Sequence, residues 1–399
     1  MAVAQIIAIM LLIFLASSML RPLIDLKLKL ANINNTYIGR NAMMWEAGSL
    51  IGALILLPLL RSISSRRLLR VCLVLFISLI LVSPIIITSK FLFPVRFMMG
   101  CIAMLIYLTC IAGILEISGN RSHATVLTVI TASTSGTKAL GSALTGFIGF
   151  EGASSFFMVA FLVALALAAT GPGNIRNAKG RQENYIKLSD TKALPIAAGW
   201  ILILVLCVGA CRNALITFLP IHAVEIGLKP EIGTVLLSSS FLGALILTIP
   251  LGKIGDAFGH RGTLAVTALS VVGASLALLR TNTFIGLLVA SAFLLGGGLV
   301  GIRDLGVAFW TSRRNNPAGA LAWCSLAGGI GSGLGILGTG ALMDIIGTSA
   351  LGWVVFSAGV LILFIVMWTN RRAPQARAPI DSRRGSLVIR AERKEYFSK

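Results

Sequence analysis

Glu46, Arg96, Lys138, Arg212, Arg303 and Asp304 all stand inside long apolar runs. A charge carried to the middle of a bilayer costs roughly 2.5–3.5 kcal/mol on insertion scales, so each one needs a compensating partner or a task. Counted at about 1.5 Å of rise per residue from the outer helix ends, Arg96 lies about 8 Å deep and Glu46 about 12 Å. Lys138, on a helix of opposite direction, falls at a similar level. A carboxylate between two such cations is pulled two ways, because desolvation favours its protonated form and Arg96 or Lys138 its charged form. That is the chemistry of a proton-coupling group, and equally of a structural ion pair. Arg303 and Asp304 are neighbours in sequence, and successive residues point about 100° apart around a helix, so one is expected to line a cavity and the other to meet an adjacent helix. Arg212 sits late in its run and reads as a side chain snorkelling outward.

The elements that hold these groups follow from composition. Of 399 residues, 56% are hydrophobic and 12% charged, with a mean hydropathy of +0.92, which excludes a soluble domain. Twelve apolar segments approach the roughly 20 residues a helix needs to cross a bilayer. They are Ala2–Leu20, Ile38–Leu60, Val71–Thr88, Leu92–Leu115, Ala124–Ile148, Ala153–Thr170, Ala193–Phe218, Ile232–Leu251, Thr263–Leu279, Phe284–Val307, Gly319–Leu342 and Leu351–Thr369. Backbone amides in hydrocarbon must be satisfied within their own segment, and runs of this length are not barrel strands. The expected fold is an all-α polytopic membrane protein with twelve transmembrane helices in two six-helix repeats. The phrase GALIL supports the repeat, since it occurs at Gly52–Leu56 and again at Gly243–Leu247, with Pro58 and Pro250 shortly after. The division expected is a first bundle over 1–170, a polar central loop over 171–192, a second bundle over 193–369 and a basic tail over 370–399.

Cytoplasmic loops collect Lys and Arg. With both termini inside, 23 of the 34 basic residues fall on the cytoplasmic face, so the net charge of +20 is mainly a topological device. The first segment taken alone argues the other way, since basic residues follow it and none precedes it. A nucleic-acid partner would need a folded basic domain that the sequence lacks. Six cysteines all lie in apolar segments and read as small packing residues. The glycines at 296–298 and from Gly328 to Gly340 read first as sites of close helix packing.

Four stretches carry a family resemblance. GKIGDAFGHR, from Gly252 to Arg261, resembles the loop motif between helices two and three, and again between eight and nine, of the major facilitator superfamily. Gly252, Asp256, Gly259 and Arg261 fill its places, and the resemblance implies a latch that forms in one conformation and breaks in the other. In the first-half copy, PLLRSISSRR from Pro58 to Arg67, Ser62 stands where the acid belongs and Ser65 where the second glycine does. Arg96 with Gly100 looks like the family's Arg-x-x-x-Gly pattern, whose arginine is implicated in proton coupling. GILGTGALMD from Gly335 to Asp344 is similar to the family's glycine-rich end of helix eleven. In the fifth segment, Thr137 and Lys138 stand where export-type members show Gly-Pro.

No phosphate-binding loop or nucleotide fingerprint is present, so work must come from an ion or substrate gradient, and no cofactor or metal is expected. The function expected is secondary active transport of a small organic solute by alternating access, proton-coupled, with export as the leading direction. The partners expected are that solute, protons and the lipid bilayer of the plasma membrane. Four intramembrane cations against two acids keep a second reading open, an importer or exchanger of organic anions. A third is a non-transporting membrane sensor or a membrane-embedded enzyme; an intramembrane enzyme would be expected to show paired His, Asp or Ser groups at helical spacing, and none is visible.

Overall fold

A computed structural model describes residues 2–118, 123–150, 152–171, 199–279, 284–311 and 317–372. The chain forms twelve helices: α1 (Ala2–Leu30), α2 (Asn35–Ser62), α3 (Ser65–Ile86), α4 (Leu92–Ser118), α5 (His123–Ile148), α6 (Ser154–Ala169), α7 (Gly199–Glu225), α8 (Pro230–Phe258), α9 (His260–Leu279), α10 (Ile285–Thr311), α11 (Pro317–Ile346) and α12 (Ser349–Arg372). No strand occurs among the described residues. Among the described residues, nine of these helices are long and apolar enough on their own to span a membrane. The rest of the set, α2, α5 and α6, is carried by its place in the bundle. Large apolar side chains such as Phe147, Ile85 and Ile345 stay exposed on the outside, as lipid-facing surface requires.

Several helices outrun their apolar segments. α1 continues from Leu20 to Leu30, α7 from Phe218 to Glu225, and α8 from Leu251 to Phe258. Hydropathy marks where hydrocarbon ends, whereas a helix ends where its backbone bonds do. Most of the expected central loop, together with Arg121, Arg313, Arg314 and the tail beyond Arg372, lies outside the described residues.

Packing follows one scheme twice. In the first six helices α1 packs on α5, α2 on α4 and α3 on α6; in the second six, α7 packs on α11, α8 on α10 and α9 on α12. Across the middle, α5 meets α8, α2 meets α11 and α1 meets α7. The turns set the register of the repeat. Asn32, at φ 57°, and Gly227, at φ 85°, are surrounded by the same bonds. In the first turn the amides of Ala31, Asn32 and Ile33 donate to the carbonyls of Lys27, Lys29 and Leu28. In the second, Ile226, Gly227 and Leu228 donate to His222, Val224 and Ala223.

Glycine seams agree with this register. A Cβ on Gly48 would lie 1.9 Å from the Phe97 carbonyl oxygen, and one on Gly243 1.9 Å from that of Phe293. Nothing larger than hydrogen fits at either crossing. Gly48 of α2 therefore matches Gly243 of α8, and the GALIL phrase, which pairs Gly52 with Gly243, is out of register by one helical turn. The loops after α2 and α8 correct the motif alignment as well. The amide of Leu68 donates to Ser64 as that of Thr263 does to Gly259, so Ser64, not Ser65, replaces the second glycine, and Arg61, not Ser62, stands in the place of Asp256.

Candidate functional site

Four helix positions in the first half hold a charge network. Arg96 of α4 pairs with Asp25 of α1 at 2.8 Å, and the two side chains are 0% and 2% exposed. Arg21 of α1 donates from Nη2 to Glu46 Oε1 of α2 at 2.6 Å, with both side chains half-buried, and its guanidinium stacks 5.6 Å from the Trp45 ring. Arg21 and Asp25 are one turn apart on the same face of α1, which lets one helix serve both pairs. This corrects the expected arrangement. Glu46 takes Arg21 rather than Arg96 or Lys138 as its ion-pair partner, and Arg96 takes Asp25. The physical reason is the extra length of α1, whose continuation past Leu20 carries Arg21 and Asp25 into the bundle instead of leaving them in a loop. An acid and a base spaced i, i+4 just beyond an apolar run were the available sign.

Lys138 of α5 forms no ion pair with any described residue. Its ammonium lies over the Phe14 ring at 4.9 Å, and Phe14 in turn meets Tyr107 edge-on at 5.2 Å. Arg303 and Asp304 form an ion pair with each other, Nη2 to Oδ1 at 2.8 Å, so the expectation that they face different partners does not hold. The two side chains reach around the helix through their own flexible ends. Arg212 stands mid-way along α7, since α7 runs on to Glu225, and it faces the centre of the protein. Its electrostatic neighbours are Arg303, Asp304, Glu46 and Arg21.

The two halves touch most closely near one face, the one where α2 begins and α11 ends. There the Asp344 carboxylate of α11 accepts the backbone amides of Asn35 at 2.9 Å and Thr36 at 2.8 Å. Asn34 caps the Tyr37 amide of the same helix end at 3.1 Å. A carboxylate at a helix N-terminus satisfies orphan amides and meets the positive end of the dipole. Beside it Lys29 of α1 pairs with Glu225 of α7, and Asn35 Nδ2 donates to that carboxylate at 2.9 Å. On the other flank Ser238 of α8 donates to the Ala139 carbonyl of α5 at 2.8 Å.

Toward the opposite face the halves part. A cavity of about 410 Å³ opens between α5, α8 and α10, lined among others by Ser135, Thr248, Asp256, His260, Arg303 and Asp304. Of the motif residues, Gly259, at φ 93°, makes the turn into α9, and Arg261 stacks 5.3 Å from the Phe309 ring. Asp256 is 80% exposed and stands 3.7 Å from His260. Gly252 lines the cavity with it. The structure thus puts Asp256, Arg303 and Asp304 on one cavity, and Glu46 and Arg96 in the adjoining first-half network.

With this geometry in place, comparison with known proteins gives the class. A sequence profile described as Major Facilitator Superfamily matches residues 6–301 and again 201–399. The chain belongs to this superfamily, and it is an integral membrane transporter rather than an enzyme. Among solved structures, a variant of the nucleoside transporter NupG aligns with a TM-score of 0.80 at 15% identity, covering 92% of this chain and 99% of that one. NupG itself aligns at 0.77 with 14% identity over 93% and 100%, and a D-xylose-proton symporter at 0.72 with 14% identity over 90% and 95%. These likenesses establish the fold. No curated protein matches the sequence significantly.

Proposed function

We propose that the protein is a proton-coupled secondary transporter of a small organic solute, working by rocking its two halves about the central charges. The observation that carries the reading is the asymmetry of the half-to-half contacts. Asp344 and the Lys29–Glu225 pair hold one face shut, while Asp256 stands exposed beside a cavity at the other. Two interfaces that cannot both be made at once form the bistable element that alternating access needs. The distribution of Lys and Arg supports both termini being cytoplasmic, so in this reading, set in a plasma membrane, the open cavity faces the cytoplasm.

The coupling group in this reading is Glu46. Its carboxylate keeps partial exposure, whereas Asp25 is sealed. Protonating Glu46 releases Arg21, and that change of partner links proton occupancy to the position of α1 against α2. Asp256, Gly252, Gly259 and Arg261 serve as the latch that closes the cytoplasmic side in the opposite state. Flux assays in sealed vesicles test the whole reading. Accumulation of solute driven by an imposed pH gradient is the expected result, and the absence of any solute flux sinks it.

A further inference from the structure

The central charges do not balance. Arg21, Lys138, Arg212 and Arg303 lie within electrostatic reach of one another, with Glu46 and Asp304 as the acids of the same group. Arg21 uses Glu46 and Arg303 uses Asp304. Lys138 and Arg212 are left with no side-chain hydrogen bond or ion pair to any described residue. Lys138 has the Phe14 ring face, and Arg212 has Arg303 as its strongest electrostatic neighbour.

The two are each other's concern. Arg212 lies within electrostatic reach of Lys138, although one belongs to α7 and the other to α5 in the opposite half. Both side chains are half-buried and so remain open to a solute. Arg303, which lines the cavity, is within reach of both, and so is Tyr107 within reach of Arg212 and Arg303. Holding two like charges together inside a membrane protein is unfavourable unless an anion joins them. A guanidinium and an ammonium brought within electrostatic reach of each other from the two halves, each without a carboxylate of its own, are suited to grip one oxyanion, the guanidinium by its fork and the ammonium as a point charge. Next to them Phe14 and Tyr107 offer an aromatic wall for the rest of the solute.

We infer that the substrate is a small organic oxyanion, a carboxylate or phosphate ester, whose charged group is clamped between Lys138 of one half and Arg212 of the other. This rests on the transport reading and gives it a substrate class. It also supplies a reason for the solute to influence the rocking motion, since its charge is shared by the two bodies that move.

The test measures thermal unfolding of the purified full chain with a panel of carboxylates and phosphate esters, each beside its neutral amide or alcohol. The expected result is that at least one oxyanion stabilises the wild type while its neutral match does not, and comparison of the two arms separates carboxylate from phosphate. Lys138→Gln and Arg212→Gln are each expected to weaken that anion by about tenfold to a hundredfold, the cost of one charge-assisted bond. Without solute, both variants should melt no lower than wild type, because each removes an unpaired cation; this also controls for misfolding. Lys138→Arg should retain partial binding. The inference is overturned if no oxyanion stabilises the protein, if neutral matches bind as well, or if both Gln variants keep full anion affinity. Neutral-solute flux unchanged in these variants would remove the clamp and leave the transporter intact. Oxyanion binding lost in the variants, with no flux of that anion in wild-type vesicles, would keep the clamp and remove the transporter.

Discussion

The hairpin α1–α2 and its mate α7–α8 share a backbone down to the hydrogen bonds of the turn, yet their interiors differ in kind. In the register set by Asn32 and Gly227, Arg21 corresponds to Ile216, Asp25 to Pro220 and Glu46 to Phe241, and the glycine seams pair Arg96 with Ala292. Where the first half holds two ion pairs, the second packs Ile216 against the cluster that contains Phe241. The fold therefore does not need charge at these four positions. Buried ion pairs seldom improve on apolar packing of equal volume, so packing does not account for their presence in one half alone, and the proposed coupling role does.

The comparison is broken most severely at its sealed pair. Asp25→Asn leaves the Arg96 guanidinium buried without a counter-charge, at a cost of about 3–5 kcal/mol, and should sharply lower the yield of monodisperse protein and its melting temperature. The double variant Asp25→Ala with Arg96→Ala, which imitates the uncharged second half, should regain most of that stability. If the double variant is no more stable than Asp25→Asn, the two halves are not interchangeable as packing and the comparison fails.

At the accessible pair the expected loss is of coupling rather than of folding. Glu46→Gln keeps the shape but cannot titrate, so pH-gradient-driven accumulation should disappear while solute exchange across the same vesicles persists. Normal driven uptake would return Glu46 to the status of a structural counter-ion.

Asp344→Asn weakens the cap on α2 that comes from the other half. A helix cap of this kind contributes about 0.5–2 kcal/mol, enough to shift a two-state balance several-fold. Spin labels at Arg40 and Ile345 should show a longer-distance population growing at the expense of the short one; an unchanged distribution would mean that Asp344 does not hold this face shut.

The smallest effect is expected at Asp256. Its carboxylate is exposed and its neighbour His260 stands 3.7 Å away, so Asp256→Asn should leave the melting temperature within a degree or two by the modest value of exposed pairs, about 0–1 kcal/mol. Transport should nevertheless slow, because the proposed latch is made in the opposite state. Unchanged flux would reduce Asp256 to a surface charge.

Much of this architecture is legible in the sequence, for reasons that particular residues make clear. Twelve apolar runs give twelve helices because hydrocarbon enforces backbone satisfaction segment by segment. GALIL points rightly from α2 to α8, yet it misplaces the register by a turn, because seam packing selects a glycine where two backbones cross, and that glycine is Gly48 rather than Gly52. The charges were harder. Glu46 and Arg96 stand out inside their runs, but their partners Arg21 and Asp25 lie past the apolar end of the first run, where a hydropathy reading expects a loop. Asp344 closes the GILGTGALMD run and Glu225 is an ordinary helix-end acid, and neither position names its partner. Their role appears once α2 and α7 are brought beside them from distant parts of the chain. Arg212 reads as peripheral in the sequence because the seventh apolar run ends at Phe218, whereas α7 continues to Glu225, its length beyond hydrocarbon set by turn chemistry at Gly227 rather than by hydropathy.

The carboxylate of Asp344 also makes a clock of two backbone amides. Those of Asn35 and Thr36 belong to the first turn of α2, where amides have no acceptor within their own helix and in most helices exchange freely with solvent hydrogen. Here their acceptor is lent by the other half, so they are protected while the two halves meet at this face and released when they part. In the proposed cycle, two adjacent positions thus record, in the rate at which they take up deuterium, the time the molecule spends closed on that side, without a label, a substrate or an engineered residue.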